Sequence, residues 1–220
     1  MGEVLSQNEI DELLNALNTG ELDVTDIQTT DREKHVKNYD FARPSKFAKE
    51  QLRTLEIIFD NYSRIISTYL SGYLRAGTQI DVINAEAVTY YEFSNSLSNP
   101  VILSIVDFSP LKGSVILELS PSIGYSIIDR ILGGKGSMID KIREFTEIER
   151  ILLERIISQL INLLREPWEN VVDLRPRLDK IETNSQFAQV ISPNEMIALV
   201  TLNIKIGEVE GMMNICIPHL

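Results

Sequence analysis

Apolar residues recur at helical spacing along two long stretches of the chain, and strand-like runs follow each. Between residues 45 and 75, Leu52, Leu55, Phe59, Tyr62, Ile66, Tyr69 and Tyr73 form one stripe, and Ile58, Ile65 and Leu74 a second. The spacing predicts one long helix covered on two sides. Strands are predicted at Ile80–Phe93, Val101–Phe108 and Ser114–Leu119. Ser120 and Pro121 then supply an N-cap and a first-turn proline. Ile123, Ile127, Ile128, Ile131 and Leu132 continue as a shorter apolar helix that Gly133 ends.

The second stretch opens at Thr146-Glu-Ile-Glu149, a capping box. Ile148, Ile151, Leu152, Leu153, Ile156, Ile157, Leu160, Ile161 and Leu164 carry the stripe, and Pro167 is expected to end it. Strand candidates follow around Val171–Ile181, Met196–Ile206 and Met212–Ile217. The phrase Gly113-Ser-Val-Ile-Leu-Glu-Leu-Ser-Pro121 is echoed by Gly211-Met-Met-Asn-Ile-Cys-Ile-Pro218. A long helix followed by three strands thus occurs twice, which predicts a pseudo-twofold α/β domain with two long helices and a mixed sheet. The plainer alternative is a strand-turn phrase recurring by chance. The sequence stops where the second half's closing helix would start.

Ahead of the first long helix the pattern changes. Ser6 and Glu9 form a capping box, Leu5 and Ile10 occupy the staple positions, and Leu13, Leu14 and Leu17 extend the stripe beside Glu9, Asp11, Glu12 and Asn15. An isolated helix of about 12 residues is marginal in water, so its apolar face needs a cover. Two readings stand side by side. The helix packs on its own domain as an arm, or it docks in another protein's groove with Leu5, Ile10, Leu13 and Leu14 as anchors. Residues 18–43 read as an acidic flexible linker with a reach of about 25 Å, which favours docking. The organisation is therefore a docking helix at 1–17, a linker at 18–43 and a folded domain at 44–220.

Composition narrows the function. Of 220 residues 44% are apolar and 24% charged, as in ordinary globular chains. Thirty-two acids against 21 bases give a net charge of −11, which argues against nucleic acid as a partner. Seven of those acids lie in residues 1–30, which hold no Lys or Arg. The single Cys216 allows no intramolecular disulfide. Without a basic, apolar leader or a run long enough for a membrane span, the expectation is a soluble cytosolic protein. Gly2 followed by Ser6 fits a myristoylation signal, a pattern too short to carry weight.

Catalytic chemistry is missing. With His35, His219 and Cys216 alone, no HExxH, CxxC or nucleophile triad can be assembled, and no motif calls for a metal or cofactor. Gly133-Gly-Lys-Gly-Ser137 is not a phosphate loop, because Asp129 stands where the first glycine is needed and the loop follows a helix. A plain helix terminator would explain Gly133 alone. Gly134 and Gly136 beside it favour a contact loop, with close backbone approach by another surface and Lys135 as an exposed cation.

Several segments in order carry a resemblance: Leu5-Ser-Gln-Asn-Glu-Ile-Asp-Glu-Leu-Leu-Asn15, Tyr39-Asp-Phe-Ala-Arg-Pro44, Leu52-Arg-Thr-Leu55, Ile128-Asp-Arg-Ile-Leu-Gly-Gly-Lys-Gly136 and Arg143-Glu-Phe-Thr-Glu-Ile-Glu149. Together they resemble the FliM family of flagellar motor switch proteins over nearly the whole length, without that family's C-terminal domain. The resemblance implies a CheC/CheX-like middle domain and a non-enzymatic adaptor in the rotor's ring, at the cytoplasmic face of the inner membrane. It implies that phosphorylated CheY binds at Leu5, Ser6, Gln7, Glu9, Ile10, Asp11, Leu13 and Leu14. It places FliG on Gly133, Gly134, Lys135 and Gly136, with Arg143 nearby, and neighbouring FliM subunits alongside the domain. FliN or FliY would join through the C-terminal domain that this sequence lacks.

The same fold is shared with CheC, CheX and FliY-type phosphatases of CheY, which gives the alternative function. Their motif is Asp or Ser, then Glu four residues on, then Asn three further. The matching frames here read Arg150, Glu154, Ile157 and Leu55, Phe59, Tyr62, so neither keeps the acid–amide pair and no phosphatase activity is expected.

Overall fold

The computed structural model describes residues 46–137, 142–184 and 190–219. Helix α1 runs Lys49–Leu74, and buries Leu55, Ile58, Phe59, Tyr62, Ile66, Leu70 and Leu74 along one face. Strand β1, Thr78–Thr89, follows and hands directly to a short helix α2, Tyr90–Ser96. Strands β2, Ile102–Ser109, and β3, Ser114–Leu119, form a hairpin that leads into α3, Pro121–Ile131. The second half repeats the plan with α4, Glu147–Leu163, a one-turn α5, Arg165–Trp168, and strands β4, Arg175–Glu182, β5, Met196–Ile206, and β6, Val209–Pro218.

The six strands form one sheet in the order β1-β5-β6-β3-β2-β4. Exchanging the halves, β1 for β4, β2 for β5 and β3 for β6, turns that order into its own reverse, so the axis passes between β3 and β6. The echoed phrases meet there. Aligning Gly113 with Gly211 makes Leu117 equivalent to Ile215, and these two residues face each other across β3 and β6. The repeat read from the sequence is therefore a twofold of the fold.

Every strand pairing is antiparallel, which corrects the expected mixed sheet. A dyad perpendicular to the sheet forces β3 and β6 to run oppositely, and the hairpins β2–β3 and β5–β6 extend that alternation outward.

Helices α1, α3 and α4 cover one sheet face, where Phe59, Tyr62, Ile66, Ile123, Ile127, Ile157 and Leu160 pack on Ile102, Leu117, Val200, Leu202 and Ile215. The Tyr62 hydroxyl donates to the Leu160 carbonyl at 2.9 Å and ties the two long helices together. On the opposite face α2 lays Tyr90 and Phe93 over Leu103, Ile116, Ile197 and Cys216.

Two of the predicted boundaries that move have local causes. The strand expected to run to Phe93 stops at Thr89, because Thr89 and Glu92 close a reciprocal cap: the Glu92 N–H donates to Thr89 Oγ1 at 3.2 Å, and the Thr89 N–H donates to Glu92 Oε2 at 3.1 Å. Helix α4 ends at Leu163 rather than at Pro167, which instead sits inside the one-turn α5, where a first-turn proline costs no helical hydrogen bond.

Candidate functional site

The glycine loop leaves α3 through a Schellman turn. The Gly133 N–H donates to the Arg130 carbonyl at 3.1 Å and the Gly134 N–H to the Asp129 carbonyl at 2.8 Å, closing the last helical carbonyls. Gly133 holds φ at +93° and Gly136 at +68°, the left-handed region in which a side chain is strained. Asp129 then folds its carboxylate over the loop and accepts the Gly136 N–H at 2.7 Å. Ser126 Oγ donates to the Gly136 carbonyl from below at 3.5 Å.

This clamp changes the reading of Gly134. The expected approach of a foreign surface to its backbone is made by the chain itself, since a Cβ at Gly134 would lie 2.2 Å from Asp129 Oδ1. What the loop turns outward is Lys135, exposed and without an ion pair among the described residues, and Leu132, 71% exposed at the C-cap of α3. The apolar spacing predicts Leu132 as the last position of the α3 stripe. Its i+4 spacing from Ile128 continues the pattern, but the helix ends one residue earlier and the cap turns the side chain out. The four loop residues Gly133, Gly134, Lys135 and Gly136 are brought together in one rigid turn.

Arg143 is held at the start of α4. Its guanidinium grips Glu149 with two hydrogen bonds, Nη1 to Oε2 at 2.8 Å and Nη2 to Oε1 at 2.6 Å, and a further one reaches the Glu144 carbonyl at 2.8 Å. It lies over the Tyr125 ring at 5.5 Å, and that ring stacks on Phe145 with centroids 4.3 Å apart. The Tyr125 hydroxyl donates to the Arg143 carbonyl. Glu149 also accepts the Thr146 N–H at 2.7 Å, so one carboxylate serves the ion pair and the capping box. The Arg143 hydrogen bonds, with help from Thr146, hold the Glu149 carboxyl down at about 2. Arg143 thus fastens the lead-in of α4 to α3, and 51% of its side chain stays exposed.

Sequence reasoning missed a buried polar pair beside the dyad. Asn214 Nδ2 donates to Glu118 Oε2 at 2.7 Å across β6 and β3, and burial pushes the Glu118 carboxyl up to about 7 while Asn214 opposes the shift. The twofold-related positions are the apolar Cys216 and Ile116, so the polar pair has no symmetric counterpart. An acid at an inward-facing strand position was the available signal.

The phosphatase frame in α1 is core: Leu55, Phe59 and Tyr62 are all buried, and Ile157 is buried in α4. Among the described residues no group of three or more His, Cys, Asp or Glu could hold a metal, and no helix is long and apolar enough to cross a membrane. The residues expected to contact CheY, Leu5, Ser6, Gln7, Glu9, Ile10, Asp11, Leu13 and Leu14, lie outside the described residues.

The fold defines a pseudo-twofold α/β domain with a self-clamped glycine loop at the end of α3. The family model described as "Flagellar motor switch protein FliM" matches residues 48–220, and the chain belongs to that family. It is 46% identical to the FliM of Treponema pallidum over 220 residues, all of this chain and 64% of that protein. The chain therefore spans a little under two thirds of that relative's length. A chain in the crystal structure of a FliG–FliM complex from H. pylori superposes with a TM-score of 0.76 at 40% identity, covering 78% of this chain and 94% of that one. The FliM middle domain from H. pylori gives 0.72 at 37% identity, over 78% and 94%.

Proposed function

We propose that this chain is the adaptor of the flagellar switch, docking FliG through Gly133, Gly134, Lys135 and Gly136, with Arg143 at the rim. The observation that carries this reading is the clamped loop, which presents Leu132 and Lys135 to solvent on a turn that the chain itself holds rigid. A preorganised turn with an apolar and a cationic tip loses little entropy on binding. The FliG–FliM complex formed by a relative at 40% identity supports the choice of partner.

In the same reading residues 1–17 form the docking helix, 18–43 the tether and 44–220 the middle domain. Leu5, Ser6, Gln7, Glu9, Ile10, Asp11, Leu13 and Leu14 capture phosphorylated CheY, and the tether raises its concentration at the body. A second, weak contact there biases the orientation of the subunit, provided CheY binds the two orientations unequally. The glycine loop passes that bias to FliG and sets the direction of rotation. Neighbouring FliM subunits pack alongside, FliN or FliY joins through the family's C-terminal domain, and the assembly sits at the cytoplasmic face of the membrane. The role is non-enzymatic. Core residues at 55, 59 and 62 weigh against the phosphatase alternative.

Titration of the chain with FliG tests the loop. Leu132→Asp and Lys135→Glu should each weaken binding at least tenfold while the urea midpoint holds, and unchanged affinity in both would remove the loop from the interface. Titration with CheY, with and without beryllofluoride, tests the helix. Tighter binding with beryllofluoride that vanishes on deleting residues 1–17 is expected, and beryllofluoride-dependent binding that survives the deletion would overturn the capture step.

A further inference from the structure

Beside the glycine loop lies a cleft of about 490 Å³ lined by Tyr73, Leu74, Arg75, Arg130, Ile131, Gly133 and Gly134. It forms where the ends of α1 and α3 meet, and the β5–β6 turn lies close by, its Gly207 N–H donating to the Gly77 carbonyl at 2.9 Å. Two cations line it, and neither has an ion pair among the described residues. The Arg130 Nε is buried without a hydrogen-bond partner among the described residues, pressed against Gly136, where a Cβ would come within 2.6 Å of it. A buried guanidinium nitrogen left unpaired is costly, and so points to a missing acceptor.

Arg75 gives a second, independent sign. It caps α1 in the left-handed region at φ 50° and ψ 43°, and is the sole non-glycine residue with positive φ among the described residues. That position ordinarily takes Gly or Asn. An arginine held there against its backbone preference is a strained residue of the kind that gathers at binding sites. The nearby Asp129 turns its Oδ2 to the Gly136 N–H and makes no ion pair with either arginine among the described residues. A second cleft, beyond the end of α4, is different: its Arg165 is paired with Asp173 at 3.2 Å.

We propose that Arg75 and Arg130 form a carboxylate cradle that receives an acidic side chain of the protein docked on the glycine loop. The inference rests on the reading that this loop binds FliG, and names the chemistry FliG must offer there: an Asp or Glu positioned to enter between the ends of α1 and α3. Guanidinium groups suit that role because they bind carboxylates with two parallel hydrogen bonds.

The test is a titration of the whole chain with FliG across ionic strength. Arg75→Gly removes the guanidinium while relieving the left-handed backbone, so it should unfold no earlier than the parent yet bind at least tenfold more weakly. Arg130→Met keeps the packing stem and should behave likewise, and both should flatten the salt dependence. Replacing FliG's surface acids singly by alanine should reveal one whose loss has little further effect in the Arg75→Gly background. If both arginine variants bind like the parent while Leu132→Asp and Lys135→Glu weaken binding, the cradle is wrong and the loop reading stands. If all four bind like the parent, the loop reading falls, and the cradle with it.

Discussion

Asp129 occupies the space that a side chain on Gly134 would need: a Cβ there would lie 2.2 and 2.3 Å from the two carboxylate oxygens. The same carboxylate accepts the Gly136 N–H at 2.7 Å, so it cannot swing aside without losing that bond. Glycine at 134 is therefore demanded by the chain's own turn, whatever docks on it. A loss of binding on substituting Gly134 would not by itself locate a partner, whereas Leu132 and Lys135 report the surface without disturbing the clamp.

Gly134→Val should destabilise the domain by about 1–3 kcal/mol, the range for overpacking or for losing a charge-assisted hydrogen bond. Asp129→Ala alone loses the bond to Gly136, and the double variant should cost much less than the sum of the two single losses. Urea unfolding of the three variants measures this coupling. Strict additivity would show that the carboxylate and the missing side chain do not compete for one space.

Gly133 poses a different problem, because nothing lies within 4 Å of its missing Cβ and the constraint is the backbone φ of +93° alone. Gly133→Ala should cost about 1 kcal/mol, and Gly133→Asn less, since asparagine tolerates the left-handed region better. Equal losses for the two in urea unfolding would mean that the turn does not depend on φ.

How far the sequence disclosed all this depends on the kind of interaction. Features set by neighbours along the chain were legible: Thr146 and Glu149 mark the start of α4, Gly133 sits at C′ as expected, and β3 and β5 run as predicted. The echo between Gly113 and Gly211 was legible as a repeat, because a dyad leaves the same strand-turn phrase in each half. The capping box at Thr89 and Glu92 was equally local but lay hidden in a run of β-prone residues. Contacts set by three-dimensional return were not legible. Nothing in the spacing shows that Asp129 folds back over its own loop, that Arg143 is claimed by Glu149, or that Arg75 and Arg130 line one cleft. Periodicity also overstates burial at helix ends, where Leu132 and Ile148 keep the stripe's spacing but are 71% and 73% exposed.

The Arg143–Glu149 pair should be visible in the acid titration of the carboxyl. Glu149 is held at about 2, first by Arg143 and then by Thr146, below an ordinary value of 4.5. Its contribution is therefore present above about 4.5 and is lost as the pH falls toward 2. Arg143→Gln should raise the Glu149 midpoint, read by NMR, while costing little stability at neutral pH, because the guanidinium is half exposed and screened. An unmoved midpoint would assign the depression to Thr146 alone.

Glu118 should impose the opposite dependence. Its carboxyl titrates near 4.5 when unfolded and at about 7 when folded, because burial beside Asn214 disfavours the charged form. The folded chain then holds more protons between those values, so stability is greatest in acid and falls as the pH rises from about 4.5 through 7, by about 3 kcal/mol in all. Glu118→Gln keeps a side chain able to pair with Asn214 but has no charge to bury. That variant should flatten the decline and surpass the parent in urea at pH 8, while gaining much less at pH 5. Parallel profiles for parent and variant between pH 5 and 8 would mean that Glu118 stays solvated, and that the polar pair beside the dyad does not set the pH response of the fold.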